Sequence, residues 1–202
     1  MPTPTPDHLL TILGYLWSAF GLYWFAAAAR GRSPAGTAHQ TVEPHIFRIV
    51  RLSILATTFA LLFWQRLAIG FLGRRFVPDF PSLDDAGFVA TLIGLGIATW
   101  ARIHLGRNWS DKVVIQAGHQ LIRTGPYARL RHPIYSGVLL GVLGTAVVLG
   151  EWRGAIAFLL LLTNYAIKAK KEDRVLGESF GAEFEEHKRR AGFLLPKLRS
   201  LS

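Results

Sequence analysis

Residues 9–29 run for 21 positions without a charged side chain. At about 1.5 Å per residue, a helix of that length crosses a hydrocarbon core of about 30 Å. No basic region precedes the run, so it reads as a retained span and not as a cleaved signal peptide. The pattern recurs along the chain. Residues 46–72 hold a second span, with Arg51 and Arg66 bracketing an uncharged core, and residues 86–101 a third with Gly94 and Gly96. Residues 133–150 form a fourth, uncharged over 18 positions. The turn Glu151-Trp152-Arg153 then leads back into a fifth at 154–167, short enough that Lys168 is expected to reach for the interface. The Gly137-x-x-x-Gly141 spacing in the fourth span suits close helix packing. The fold class that follows is an all-α integral membrane protein of about five transmembrane helices, with a cytoplasmic loop and a C-terminal helical tail.

Charge is kept apart from these runs, so half of the residues can be hydrophobic while the formal net charge is +10. Nineteen Lys and Arg fall at 30–51, 102–131 and beyond 167. Only Arg66, Arg74, Arg75 and Arg153 are left for the other face. That bias places the N-terminus outside and both the 102–132 loop and the tail in the cytoplasm. The excess is a topology and headgroup signal, and no nucleic-acid module accompanies it. With no cysteine in the chain, disulfides, thiolate nucleophiles and Cys-ligated metals are excluded. Seven histidines scattered singly argue against a metal site. One membrane domain over 1–202 is expected. Residues 1–101 would be a three-span scaffold, and 102–202 a catalytic half made of a loop (102–132), a helical hairpin (133–167) and a tail (168–202).

The chemistry concentrates where the loop enters the fourth span. Pro133 suits the first position of a helix, which leaves His132 at its N-terminal edge beside unpaired amides and the positive end of the dipole, a seat for an anionic group of a cofactor. Asn164, Lys168 and Glu172 recur at i, i+4 and i+8, stacked over about 12 Å on one face. Glu172 therefore emerges near His132 across the hairpin. Turn glycines, aromatics, two histidines and an acid then converge on a pocket suited to an amphoteric, nucleoside-bearing cofactor.

Three segments resemble the isoprenylcysteine carboxyl methyltransferases and their bacterial relatives, which also look related to membrane phospholipid N-methyltransferases. They are Leu105 to Ser110, His119 to Gly137 with its Arg131-His132-Pro133-Ile134-Tyr135 core, and Glu172-Asp173 through His187 to Leu195-Pro196. The resemblance implies S-adenosylmethionine as cofactor, bound by His119, Leu121, Tyr127, His132, Tyr135 and Glu172, with Gly125 and Pro133 in the same motif. Asn108 and Trp109 would meet the substrate. Asp173 stands where a second Glu is typical and His187 where a Tyr is common. A carboxylate acceptor needs alignment and a steering cation, for which Arg102, Arg131 and Lys168 are the candidates. Phe180, Phe184 and Phe193 would belong to a lid. The expected partners are the bilayer and a lipophilic small-molecule or prenylated acceptor, with no metal and no nucleic acid. Composition suggests a bacterium, hence a prokaryotic cytoplasmic membrane with the site facing the cytoplasm. The rival readings are an NADPH-dependent reductase of sterol-reductase type, a phospholipid or small-thiol methyltransferase, and a non-catalytic membrane scaffold.

Overall fold

A computed structural model describes residues 6–30, 40–41, 44–106, 114–115 and 121–197. Among the described residues six α-helices carry the fold: α1 (Pro6–Arg30), α2 (His45–Phe63), α3 (Pro81–Leu105), α4 (Pro133–Leu149), α5 (Trp152–Phe180) and α6 (Ala182–Arg190). Among the described residues the only strand pairing is a two-residue antiparallel ladder, Gln40–Thr41 against Val114–Ile115. Among the described residues three helical segments are long and apolar enough to cross a membrane, His8–Ala29, His45–Phe63 and Pro81–Leu105, while α4 is a shorter apolar helix. The outside of the bundle is apolar as well. Leu22 on α1 is 72% exposed and Leu159 on α5 is 58% exposed, an arrangement that water would penalise and lipid would not.

The expected boundaries shift for physical reasons. Helix α3 starts at Pro81, not 86, because Pro at its first position and Asp84 in its first turn both favour a helix N-terminus. Helix α2 includes Arg51 and stops at Phe63, short of Arg66. Fully buried Arg153 takes up carbonyls at that end, donating from Nη1 to Leu61 O at 3.0 Å and from Nη2 to Gln65 Oε1 at 3.0 Å, while Nε meets Glu151 at 2.6 Å. A buried guanidinium is tolerated there because its donors find acceptors. Helix α5 runs unbroken from its apolar first half into a charged second half, so its apolar part and Glu172 share one rigid rod.

Helix α4 is the hub, buried on most of its faces against its neighbours. Its closest partner is α3, met through glycines. A Cβ on Gly94 would collide with the Gly137 carbonyl and the Gly141 amide, and one on Gly137 would lie 2.6 Å from the Ala98 amide. The small-residue spacing read from sequence is therefore a packing device, as expected. Polar groups cross this seam. Trp17 on α1 donates its indole N–H to Thr145 Oγ1 at 3.0 Å, and Thr91 Oγ1 lies 3.1 Å from the Gly141 carbonyl. Thr145→Val strands the buried indole N–H and is expected to lower stability in detergent by about 1 kcal/mol, read from the unfolding midpoint.

Candidate functional site

The site forms where α4 begins and α5 leaves the apolar layer. Pro133, buried at the first position of α4, holds His132 outside the helix at φ −126° and ψ 58°. The side chain of His132 makes no cap hydrogen bond on α4. It reaches across to α5 instead: Nε2 sits 2.9 Å from Asp173 Oδ1, and Nδ1 lies 3.5 Å from Glu172 Oε2. Tyr135 donates to Glu172 Oε1 at 2.7 Å, and Lys168 Nζ approaches the same oxygen at 3.7 Å. Arg131 Nη2 lies 3.1 Å from Asp173 Oδ2. Two consecutive acids on α5 are thus clamped by consecutive basic groups ahead of α4, with Lys168 one turn further toward the apolar half of α5.

The tail closes over this cluster. The Arg131 amide donates to Gly192 O at 2.9 Å, the Gly192 amide to Arg129 O at 3.0 Å, and Ser136 Oγ to Leu194 O at 2.7 Å. Phe193 meets the His132 ring edge-on at 5.4 Å and lies under the Arg131 guanidinium at 5.4 Å. Further out, Arg123 pairs with Glu183 of α6 at 2.9 Å. The loop and the tail meet, as the hairpin topology requires.

Electrostatics follow from this geometry. Burial pushes the Glu172 carboxyl up, but the Lys168 charge and the hydrogen bonds from His132 and Tyr135 outweigh it and hold it down at about 2. Burial opposes protonation of His132, yet its hydrogen bonds to Asp173 and Glu172 and the charges of both raise it above the ordinary 6.5. His187, buried on α6, is held low by burial and by the charges of Arg131 and Arg123. Burial and the nearby Glu172 push the Tyr127 phenol well up. The sign of each shift fixes a stability window. Glu172 stabilises the fold fully above 4.5 and loses that contribution as pH falls toward 2. His132 contributes fully below 6.5 and loses its share as pH rises through its raised value. The thermal midpoint is therefore expected to be highest between these limits and to drop on the alkaline side. His132→Gln should flatten that alkaline limb.

The residues expected from sequence divide into groups. His132, Tyr135, Glu172, Arg131 and Lys168 come together in one network, with Pro133 setting its backbone. Lys168 is buried, lying 5.4 Å over the Tyr135 ring. Tyr127 stands beside the network, its hydroxyl 3.4 Å from Ala101 O. Arg102 is bonded to the carbonyls of Gly106 and Ala27, both at 3.1 Å, which ties the ends of α1 and α3 together. Gly125, at φ +58°, packs on His104, where a Cβ would come within 2.8 Å of the ring, and Leu121 is half-buried nearby. His119, Asn108 and Trp109 lie outside the described residues. Phe193, expected in a lid, lies against His132, and Asp173, noted only as a departure from the usual second Glu, takes a direct part. For Asp173 the available signal was its place directly after Glu172 opposite an Arg-His pair. The Gly192 backbone contacts carry no side-chain signal.

Residues 87–178 match the model of the isoprenylcysteine carboxyl methyltransferase (ICMT) family. Over 183 residues, 86% of this chain and 87% of the relative, the sequence is 31% identical to a probable protein-S-isoprenylcysteine O-methyltransferase of Oryza sativa subsp. indica. It is 26% identical to protein-S-isoprenylcysteine O-methyltransferase B of Arabidopsis thaliana over 83% of this chain and 82% of the relative. In fold it is similar to the eukaryotic intramembrane Ras methyltransferase ICMT, with a TM-score of 0.65 and 19% identity over 97% of this chain and 69% of that one. None of these three relatives is named a reductase.

Proposed function

The chain belongs to the isoprenylcysteine carboxyl methyltransferase family, and from that premise we propose that it transfers a methyl group from S-adenosylmethionine to a carboxylate on a lipophilic acceptor, an isoprenylcysteine-type compound or a small lipid. The observation that carries this reading is the clamp of Glu172 and Asp173 onto Arg131 and His132 at the membrane rim, beneath a closed tail.

The residues fit such a cofactor. Arg131 keeps a buried Nε that finds no hydrogen-bond partner among the described residues, a donor suited to a carboxylate. Glu172 is a fixed anion for an ammonium group, and the rings of His132, Tyr135 and Phe193 offer flat faces to a base. When bound, the cofactor would supply an electrophilic methyl on a sulfonium whose charge is lost as the new bond forms, so an apolar, water-poor pocket favours the transition state. A carboxylate nucleophile is already deprotonated, and the protein needs only to align it about 3 Å from the methyl. Lys168, buried beside Glu172 and the Tyr135 ring, is suited to steer it. Arg131 is engaged by Asp173, and Arg102 braces the loop from the end of α3. On this reading His119, Leu121, Gly125 and Tyr127 complete the cofactor wall, and Asn108 and Trp109 approach the acceptor. The proposal includes five membrane crossings, a scaffold at 1–101 and a catalytic half at 102–202. The skewed basic residues support a site open to the cytoplasm.

The test is the thermal shift of detergent-purified protein. S-adenosylhomocysteine at about a hundred times its Kd is expected to add about 2.7 kcal/mol, a rise of roughly 5 °C or more. NADP should add nothing. Stabilisation by NADP and not by S-adenosylhomocysteine would replace this reading with the reductase.

A further inference from the structure

The end of the bundle opposite His132 carries an apolar platform that the proposed reaction does not use. Between α2 and α3 the chain runs for 17 residues, 64–80, with Trp64, Ile69, Phe71, Phe76 and Phe80 all exposed, from 45% at Phe76 to 65% at Ile69. Trp152, at the start of α5, is sandwiched between Phe71 at 5.0 Å and Phe76 at 4.7 Å, both stacked. Arg66 and Arg74 are exposed among these rings.

This segment is not a loose loop. Turns bond the amides of Leu72 to Ile69 O and of Arg74 to Phe71 O, both within 3.2 Å, and the amides of Phe76 and Val77 both donate to Gly150 O. In return the Trp152 and Arg153 amides donate to Arg74 O and Leu72 O. Such backbone pairing is what a segment needs where water is scarce. Exposed aromatics, internally bonded backbone and interspersed arginines are the chemistry of the headgroup layer, where rings sit at the acyl boundary and guanidinium groups meet phosphate. Both ends of the segment join membrane-crossing helices, which sets its depth by covalent connection.

We propose that residues 64–80, with Trp152, are an interfacial platform seated in the headgroup layer of the leaflet opposite the His132 site, its rings at the acyl boundary and Arg66 and Arg74 on lipid phosphates. The platform fixes how deep the α4–α5 hairpin sits and therefore the level at which Lys168 and Glu172 meet the other surface.

The absence of cysteine makes the test direct. Single variants Ile69→Cys and Phe76→Cys of the full chain carry a nitroxide in vesicles of phosphatidylcholine and phosphatidylglycerol, with Leu22→Cys on α1 as the bilayer reference and a water-soluble nitroxide free in the buffer as the aqueous one. The ratio of oxygen to nickel-chelate accessibility at positions 69 and 76 is expected to be several-fold above that of the free nitroxide and below that at 22. Adding Arg66→Glu and Arg74→Glu should lower it. Ratios at 69 and 76 equal to that of the free nitroxide would place the platform in water, and dipolar broadening between labels would place it against a second copy of the chain. Either result overturns the proposal, as does a ratio that the charge reversals leave unchanged.

Discussion

Glu172→Ala is expected to lower methyl transfer by at least about a hundredfold, the size of effect found when one positioned electrostatic partner is removed from a catalytic site. The carboxylate accepts from Tyr135 at 2.7 Å and faces His132 at 3.5 Å and Lys168 at 3.7 Å. Without it, Lys168 and Tyr135 lose that partner in a buried corner, a cost of about 3–5 kcal/mol for breaking such a cluster. Glu172→Gln separates shape from charge. It can still accept from Tyr135 and should recover part of the stability, yet it should be as inactive as alanine, because the fixed anion is gone. Activity within threefold of wild type in the glutamine variant would remove Glu172 from the site. Asp173 does not substitute, since both its oxygens already serve His132 and Arg131.

Gly94→Leu is expected to prevent the bundle from closing, whereas Gly96→Leu two positions away should be tolerated. At Gly94 an added side chain meets the backbone of Gly137 and Gly141, which cannot move without parting α3 from α4. Around Gly96 nothing lies within 4 Å. Ordinary overpacking costs about 1–3 kcal/mol, and a collision with backbone exceeds that range. Gly96→Ala should even stabilise by up to about 1 kcal/mol through helix propensity. Size-exclusion profiles and thermal midpoints in one detergent distinguish the two positions. Equal behaviour of Gly94→Leu and Gly96→Leu would mean that the glycine seam does not hold the helices together.

Much of this was legible in the chain, and the exceptions share a cause. The apolar core of α1 and the limits of α4 follow from uncharged runs, because the length and polarity of the membrane are properties of the solvent and need no tertiary information, whereas α1 itself runs on to Pro6 and Arg30. The meeting of Glu172 with His132 followed from hairpin geometry alone. Helix α2 stops at Phe63 because Arg153, nearly ninety residues later, takes carbonyls at its end, and no local pattern encodes that. Lys168 turns inward because Glu172 and the Tyr135 ring await it, partners that exist only after α4 and α5 have paired. The role of Asp173 depends on the rotation of α5 about its axis, which brings it to the histidine together with Glu172. The start of α3 is different: Pro81 and Asp84 announce it plainly, and a criterion of uncharged length passes over them.

The central claim is that the cluster around His132 and Glu172 moves a methyl group onto a lipophilic carboxylate. Incubating vesicles of the purified chain and a lipid extract with methyl-labelled S-adenosylmethionine, then treating the organic phase with mild alkali, tests it most directly. Label that partitions with lipid, is released as methanol by base and is absent with Glu172→Ala is the expected result. No incorporation, or label that resists base, would contradict it.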